Sequence, residues 1–115
     1  MIFTPNHRIA LSSCIGDYLN QIGRPARIIA VGATHSHVLF RCGREDAKSF
    51  VASAKRSASQ RTRAFMPGSI WAQGCNVVRV RDEQHYRAIV EYIMNHREQG
   101  AAIWEHPRAP KAPVN

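Results

Sequence analysis

Apolar residues recur at helical spacing through Ile9, Cys14, Ile15, Tyr18, Leu19 and Ile22, and Pro5 suits a first helical turn, so the pattern predicts a helix over 5–23. Gly23 followed by Arg24-Pro25 ends it. The β-branched run Arg27-Ile28-Ile29-Ala30-Val31 reads as a strand, Gly32-Ala33-Thr34 as a turn, and His35 to Arg41 as a second strand in a hairpin with the first. Residues 45–64 return to a helical pattern. Glu45 and Asp46 suit its N-terminus, Phe50, Val51 and Ala54 supply an apolar face, and the rest is polar and basic. Asn76-Val77-Val78-Arg79-Val80-Arg81 reads as a third strand. Asp82 then caps a last helix, with His85 at its third position and Ile89, Val90, Ile93 and Met94 along one side, ending near Gly100. Residues 105–115 hold three prolines and are expected to form a loosely attached tail.

The order helix, strand, strand, helix, strand, helix, without long crossovers, implies an α+β sandwich with an antiparallel sheet. A length of 115 residues with 44% hydrophobic and 21% charged residues fits one foldable domain. No apolar run approaches the ~20 residues that span a bilayer, and Met1-Ile2-Phe3-Thr4-Pro5-Asn6 lacks the pattern of a signal peptide. A cytoplasmic protein with no membrane partner is the expectation. Cys14, Cys42 and Cys75 are odd in number and form no CxxC pair, which supports neither a disulfide framework nor a zinc knuckle. Charge changes the picture more. Sixteen basic residues against eight acidic ones give +8, and thirteen of the sixteen are arginine, the side chain that forks onto phosphate. Such a balance points to nucleic acid or another anionic partner and does not choose among them.

His35 and His37 are the sharpest local feature. Residues two apart in a strand share a face, so the imidazoles lie side by side, where they can hold a divalent ion or simply line a polar sheet surface. Tyr92 and His96, four apart, share a helix face. A phenol beside a third imidazole is what a tyrosine nucleophile for phosphodiester cleavage needs; a surface tyrosine on an amphipathic helix has the same spacing. An RNA-binding module is a third reading, although the strands offer only Phe40 as a stacking aromatic.

Three segments together resemble the HUH single-tyrosine transposases, in particular their REP-associated subgroup. They are Gly32-Ala33-Thr34-His35-Ser36-His37-Val38-Leu39-Phe40, Ile70-Trp71-Ala72-Gln73-Gly74, and Val78 to Tyr86 leading to Ile89-Val90-Glu91-Tyr92-Ile93-Met94-Asn95-His96. The basic segment Lys55-Arg56-Ser57-Ala58-Ser59 resembles the helix between them. The resemblance implies a transposase domain over 1–104 with a ferredoxin-like two-layer sandwich, its helices on one face of the antiparallel sheet. It implies His35, His37 and His96 as ligands of Mg2+ or Mn2+, and Tyr92 as the nucleophile that cleaves and rejoins DNA through a covalent phosphotyrosine. The implied partner is single-stranded DNA containing hairpins, contacted by Lys55, Arg56, Arg61, Arg63, Arg79 and Arg81. Trp71 is expected to anchor the core. Relatives carry a strand ahead of the first helix, whereas only Met1-Ile2-Phe3-Thr4 precedes it here. The first strand of the family therefore reads as missing, with a homodimer as the expected repair of the gap. A catalytically silent DNA-binding protein on the same scaffold is the alternative outcome.

Overall fold

The computed structural model describes residues 2–42, 46–66, 70–71 and 76–107. Its elements are α1 (Pro5–Gln21), β1 (Ala26–Val31), β2 (Ser36–Phe40), α2 (Ala47–Arg61), α3 (Glu83–Met94), a 3-10 turn (Asn95–Gln99) and β3 (Ala102–Glu105). Side chains set the start of every α-helix. Thr4 accepts from the His7 amide while His7 accepts from the Thr4 amide, closing a capping box on α1. Asp46 accepts from the Lys48 amide at α2, and Asp82 from the His85 amide at α3.

The three strands form an antiparallel sheet in the order β2-β1-β3. β1 is central because it is apolar on both faces, and its side chains alternate between two layers of core. Ile29 and Val31 face α1 and α2 and pack with Phe3, Leu11, Ile15, Leu19, Ala54 and Ala58. Ile28 and Ala30 face the other way and pack with Leu39, Ile93 and Ala101, flanked by Tyr86, Ile89 and Val90 of α3. The expected placement of helices on one face thus holds for α1 and α2, while α3 covers the opposite face.

Several sequence expectations need correction. Residues 76–81 form no strand; they are exposed, Val78 to 69%, and lead directly into α3. The edge of β1 that such a strand would use is taken by β3, whose Ala102, Ile103, Trp104 and Glu105 pair with Val31, Ala30, Ile29 and Ile28 respectively. β3 runs to Glu105, Arg27 pairs with the Glu105 carboxylate at 3.0 Å, and the His106 amide donates to the Arg27 carbonyl, so ordered chain extends past residue 104. The expected gap at the centre of the sheet does not occur among the described residues, since β1 has a partner on each side. Phe3 precedes α1 without forming a strand, is buried, and donates its amide to the Ala33 carbonyl. Ile9 and Ile22, assigned to the buried face of α1 by periodicity, are exposed, and Leu11 takes the inward position. The last helix gives way to the 3-10 turn at Asn95, and Gly100 closes it at φ 87°, a left-handed conformation that glycine adopts without steric cost. Trp71 anchors the core as expected: it meets Phe3 edge-on and its indole donates to the Lys55 carbonyl at 3.0 Å. Cys14 and Cys42 form no disulfide, and Cys75 lies outside the described residues. No helix among the described residues is long and apolar enough to cross a membrane.

Candidate functional site

The sheet register decides which histidine meets α3. His37 pairs with Ala30, and antiparallel partners point to the same face, so its imidazole lies on the side that α3 covers. His35 stands just before β2, at the end of a turn closed by the Gly32 amide donating to the His35 carbonyl at 2.8 Å. From the other direction, the last turn of α3 brings Tyr92 and the 3-10 turn brings His96. The ring centroids of His37 and His96 are 4.4 Å apart, those of His35 and His37 5.2 Å, and those of His35 and His96 6.2 Å. Tyr92 stands 4.8 Å from His96 and 5.6 Å from His37 by the same measure.

One ligating atom from each of the three histidines lies within 4.8 Å of the others, so the cluster can hold a metal ion. Direct ligation at about 2.1 Å requires separations of about 4 Å or less, so a modest rotation must close the set. His35 is the ring with room to turn: it is exposed, and its Nδ1 meets the Thr34 hydroxyl at 3.3 Å. His96 is better fixed. Its Nδ1 lies 2.8 Å from the Tyr92 carbonyl, which can only accept, so Nδ1 carries a proton and Nε2 is the nitrogen left to ligate. His37 Nε2 is buried without a hydrogen-bond partner among the described residues, a costly state for a polar atom and a fitting one for a ligand. Burial, followed by the neighbouring charges of His96 and His35, holds the His37 pKa below its ordinary 6.5 and keeps the ring neutral, as metal ligation requires. Tyr92 is 58% exposed, which leaves its hydroxyl within reach of a substrate.

The six basic residues expected to meet DNA fall into two groups. Lys55, Arg56 and Arg61 lie on α2, with Arg63 just after it, in the helix layer on the opposite face of the sheet from His37. There Arg61 reaches Asp17 at 3.4 Å and the Lys55 ammonium lies 5.2 Å from the centre of the Trp71 ring. Arg79 and Arg81 lie on the exposed segment that enters α3, at the opposite end of that helix from Tyr92. Sequence reasoning missed Arg8 and Thr34. A turn hydroxyl next to a histidine is visible in the sequence, whereas the long-range contacts of Arg8 leave no local signal. No family model, curated protein or solved structure matches the chain.

Proposed function

We propose that this chain cleaves and rejoins single-stranded DNA with Tyr92 as nucleophile, on a ferredoxin-like scaffold of the HUH single-tyrosine type. The observation that carries the reading is the exposed Tyr92 ring standing directly beside two of three clustered imidazoles. A phenol on a solvent-facing helix needs no such company for packing. In the proposed reaction Tyr92 Oη forms a bond to the scissile phosphorus, the bond to the leaving DNA oxygen breaks, and the phenolic proton ends on that oxygen. The DNA strand is then held as a phosphotyrosine, and the reverse step with a new DNA hydroxyl rejoins it.

His35, His37 and His96 are the residues that would hold the divalent ion. When bound, the ion supplies Lewis acidity to a phosphate oxygen. Among the described residues the donors are three imidazoles with no carboxylate, a set that suits Mn2+ better than the hard, oxygen-seeking Mg2+. His96 serves a second purpose, because its bond to the Tyr92 carbonyl fixes the ring against the backbone of the nucleophile. Arg79 and Arg81, at the far end of α3 from Tyr92, and the basic residues of α2 would hold DNA that continues around the domain. A homodimer, if formed, would use the outer edges of β2 and β3, since β1 is already paired on both sides.

The spread of the ligating atoms favours one second reading, a DNA-binding protein on the same scaffold that has lost turnover. Incubation with a pool of single-stranded hairpin oligonucleotides and Mn2+, read on a denaturing gel, separates the two. A covalent adduct supports the enzyme. Binding to single strands with no adduct supports the silent form, and binding to neither single strands nor hairpins removes both.

A further inference from the structure

We infer that Arg8, which the sequence does not connect to the histidines, is a positioning residue that ties the two halves of the three-histidine cluster together. His35 and His37 come from the β1–β2 hairpin and His96 from the far end of the chain; the β1–β3 pairing joins the strands, and Arg8 adds a tie between the turns that carry His35 and His96. Arg8 lies on the first turns of α1 and spans both. Its Nε donates to the Phe3 carbonyl at 2.9 Å, and its Nη1 donates to the Gly100 carbonyl at 2.9 Å, across 92 residues of sequence.

Each carbonyl belongs to a segment that leads directly to a histidine. The Phe3 amide donates to the Ala33 carbonyl at 2.8 Å, in the turn that the Gly32 amide closes onto the His35 carbonyl. On the other side, the Gly100 amide donates to the Arg97 carbonyl and the Ala101 amide to the His96 carbonyl, closing the turn that carries the third ring. Hydrogen bonds joined by the Gly32–Ala33 and Gly100–Ala101 peptide links thus connect the backbone of His35, through Phe3 and the Arg8 guanidinium, to the backbone of His96. Gly100 is shaped for this contact. It adopts φ 87°, and a Cβ there would stand 3.2 Å from Arg8 Nη1. A guanidinium suits the task because its donors form a rigid fork, while a lysine ammonium on a flexible stem cannot fix two carbonyls at that spacing.

The inference rests on the three histidines holding a metal and needs neither Tyr92 chemistry nor DNA. It is tested with the full chain by titrating Co2+ and reading its visible absorption, which reports both affinity and coordination geometry. Wild type is expected to bind, and Arg8→Ala to bind about 10- to 100-fold more weakly with a shifted band, the usual loss when a group that orients ligands is removed. Millimolar methylguanidinium should restore much of the affinity of Arg8→Ala, and Arg8→Lys should not recover wild-type affinity despite its charge. A purely structural role for Arg8 would lower the melting temperature and leave the Co2+ band and the rescue unmoved. Should Arg8→Ala fail to fold, Arg8→Gln, whose single amide donor group cannot serve both carbonyls, is expected to weaken Co2+ binding in the same direction. Arg8→Ala or Arg8→Gln binding within twofold of wild type, with an unchanged band, overturns the positioning role while leaving the metal site intact. A wild-type chain that binds no Co2+ overturns both.

Discussion

Replacing Gly16 by alanine adds one methyl group where α1 crosses the sheet, and the structure fixes the direction of the effect. Gly16 is buried, and a Cβ built on it would fall onto Cε2 of Trp104, with Cζ2 at 2.6 Å and Cδ2 at 2.8 Å. No real Cβ sits that close to an aromatic ring, so either α1 lifts away or the indole leaves its place. The indole is not free to leave: Trp104 pairs with Ile29 in the sheet and packs against the core beneath α1. Overpacking of this kind costs about 1–3 kcal/mol. Alanine recovers about 1 kcal/mol of that through its better helix propensity. The net is a destabilisation of up to about 2 kcal/mol, seen in thermal unfolding by circular dichroism as a melting temperature lower by several degrees, at roughly 4 °C per kcal/mol for a domain of this size. Because the penalty comes from the indole alone, the sign must reverse in a Trp104→Leu background, where Gly16→Ala should stabilise by about 0.5–1 kcal/mol. A Gly16→Ala protein that melts at or above wild type, or that loses the same stability in both backgrounds, would refute the reasoning.

His37 carries a pH signature. Its folded pKa lies below the ordinary 6.5 because of burial and then the charges of His96 and His35, so between the two values the unfolded chain binds more protons than the folded one. The stability tied to this ring is fully present above pH 6.5 and is lost as pH falls toward the folded value. In chelator, the melting temperature should drop over that acid window, and His37→Gln should flatten the drop. Single-stranded DNA affinity should fall steeply with salt, each phosphate contact contributing about −0.7 to the log–log slope. Arg61→Ala and Arg63→Ala together should therefore reduce the slope by about 1–1.4, and an unchanged slope in titrations between low and physiological salt would take α2 out of the DNA path.

Five of the elements were legible in the sequence because each carries its own local signal: Pro5 at a helix start, Asp46 and Asp82 as caps, and the β-branched run of β1 with its hairpin partner β2. The two strands that sequence reasoning exchanged show why pattern is not pairing. Val77, Val78 and Val80 have high strand propensity, yet propensity needs an edge to pair with, and the edge of β1 belongs to Ala102–Glu105, a run too short to stand out ahead of a proline-containing tail. At the site, the pairing of His35 with His37 followed from strand parity and that of Tyr92 with His96 from helix spacing. The meeting of the two pairs depends on α3 crossing the face that carries His37, which no local pattern encodes. Arg8 was illegible for the same reason, since its partner Gly100 lies 92 residues away.

Attack of Tyr92 on DNA, as proposed, is read most directly by mass spectrometry of the protein after incubation with a single-stranded hairpin oligonucleotide and Mn2+. Proteolysis of the adduct should yield the peptide containing Tyr92 with a nucleotide attached to its phenolic oxygen. Tyr92→Phe keeps the ring beside His37 and His96 but lacks the phenolic oxygen, so it should bind the oligonucleotide as wild type does and give no adduct. Tyr86 cannot substitute, because it is half-buried in the core under α3 while Tyr92 is exposed. An adduct on Tyr92 in the wild type, lost in Tyr92→Phe, is expected; an adduct that survives Tyr92→Phe, or a wild type that binds the oligonucleotide and never becomes attached to it, would rule out Tyr92 as the nucleophile.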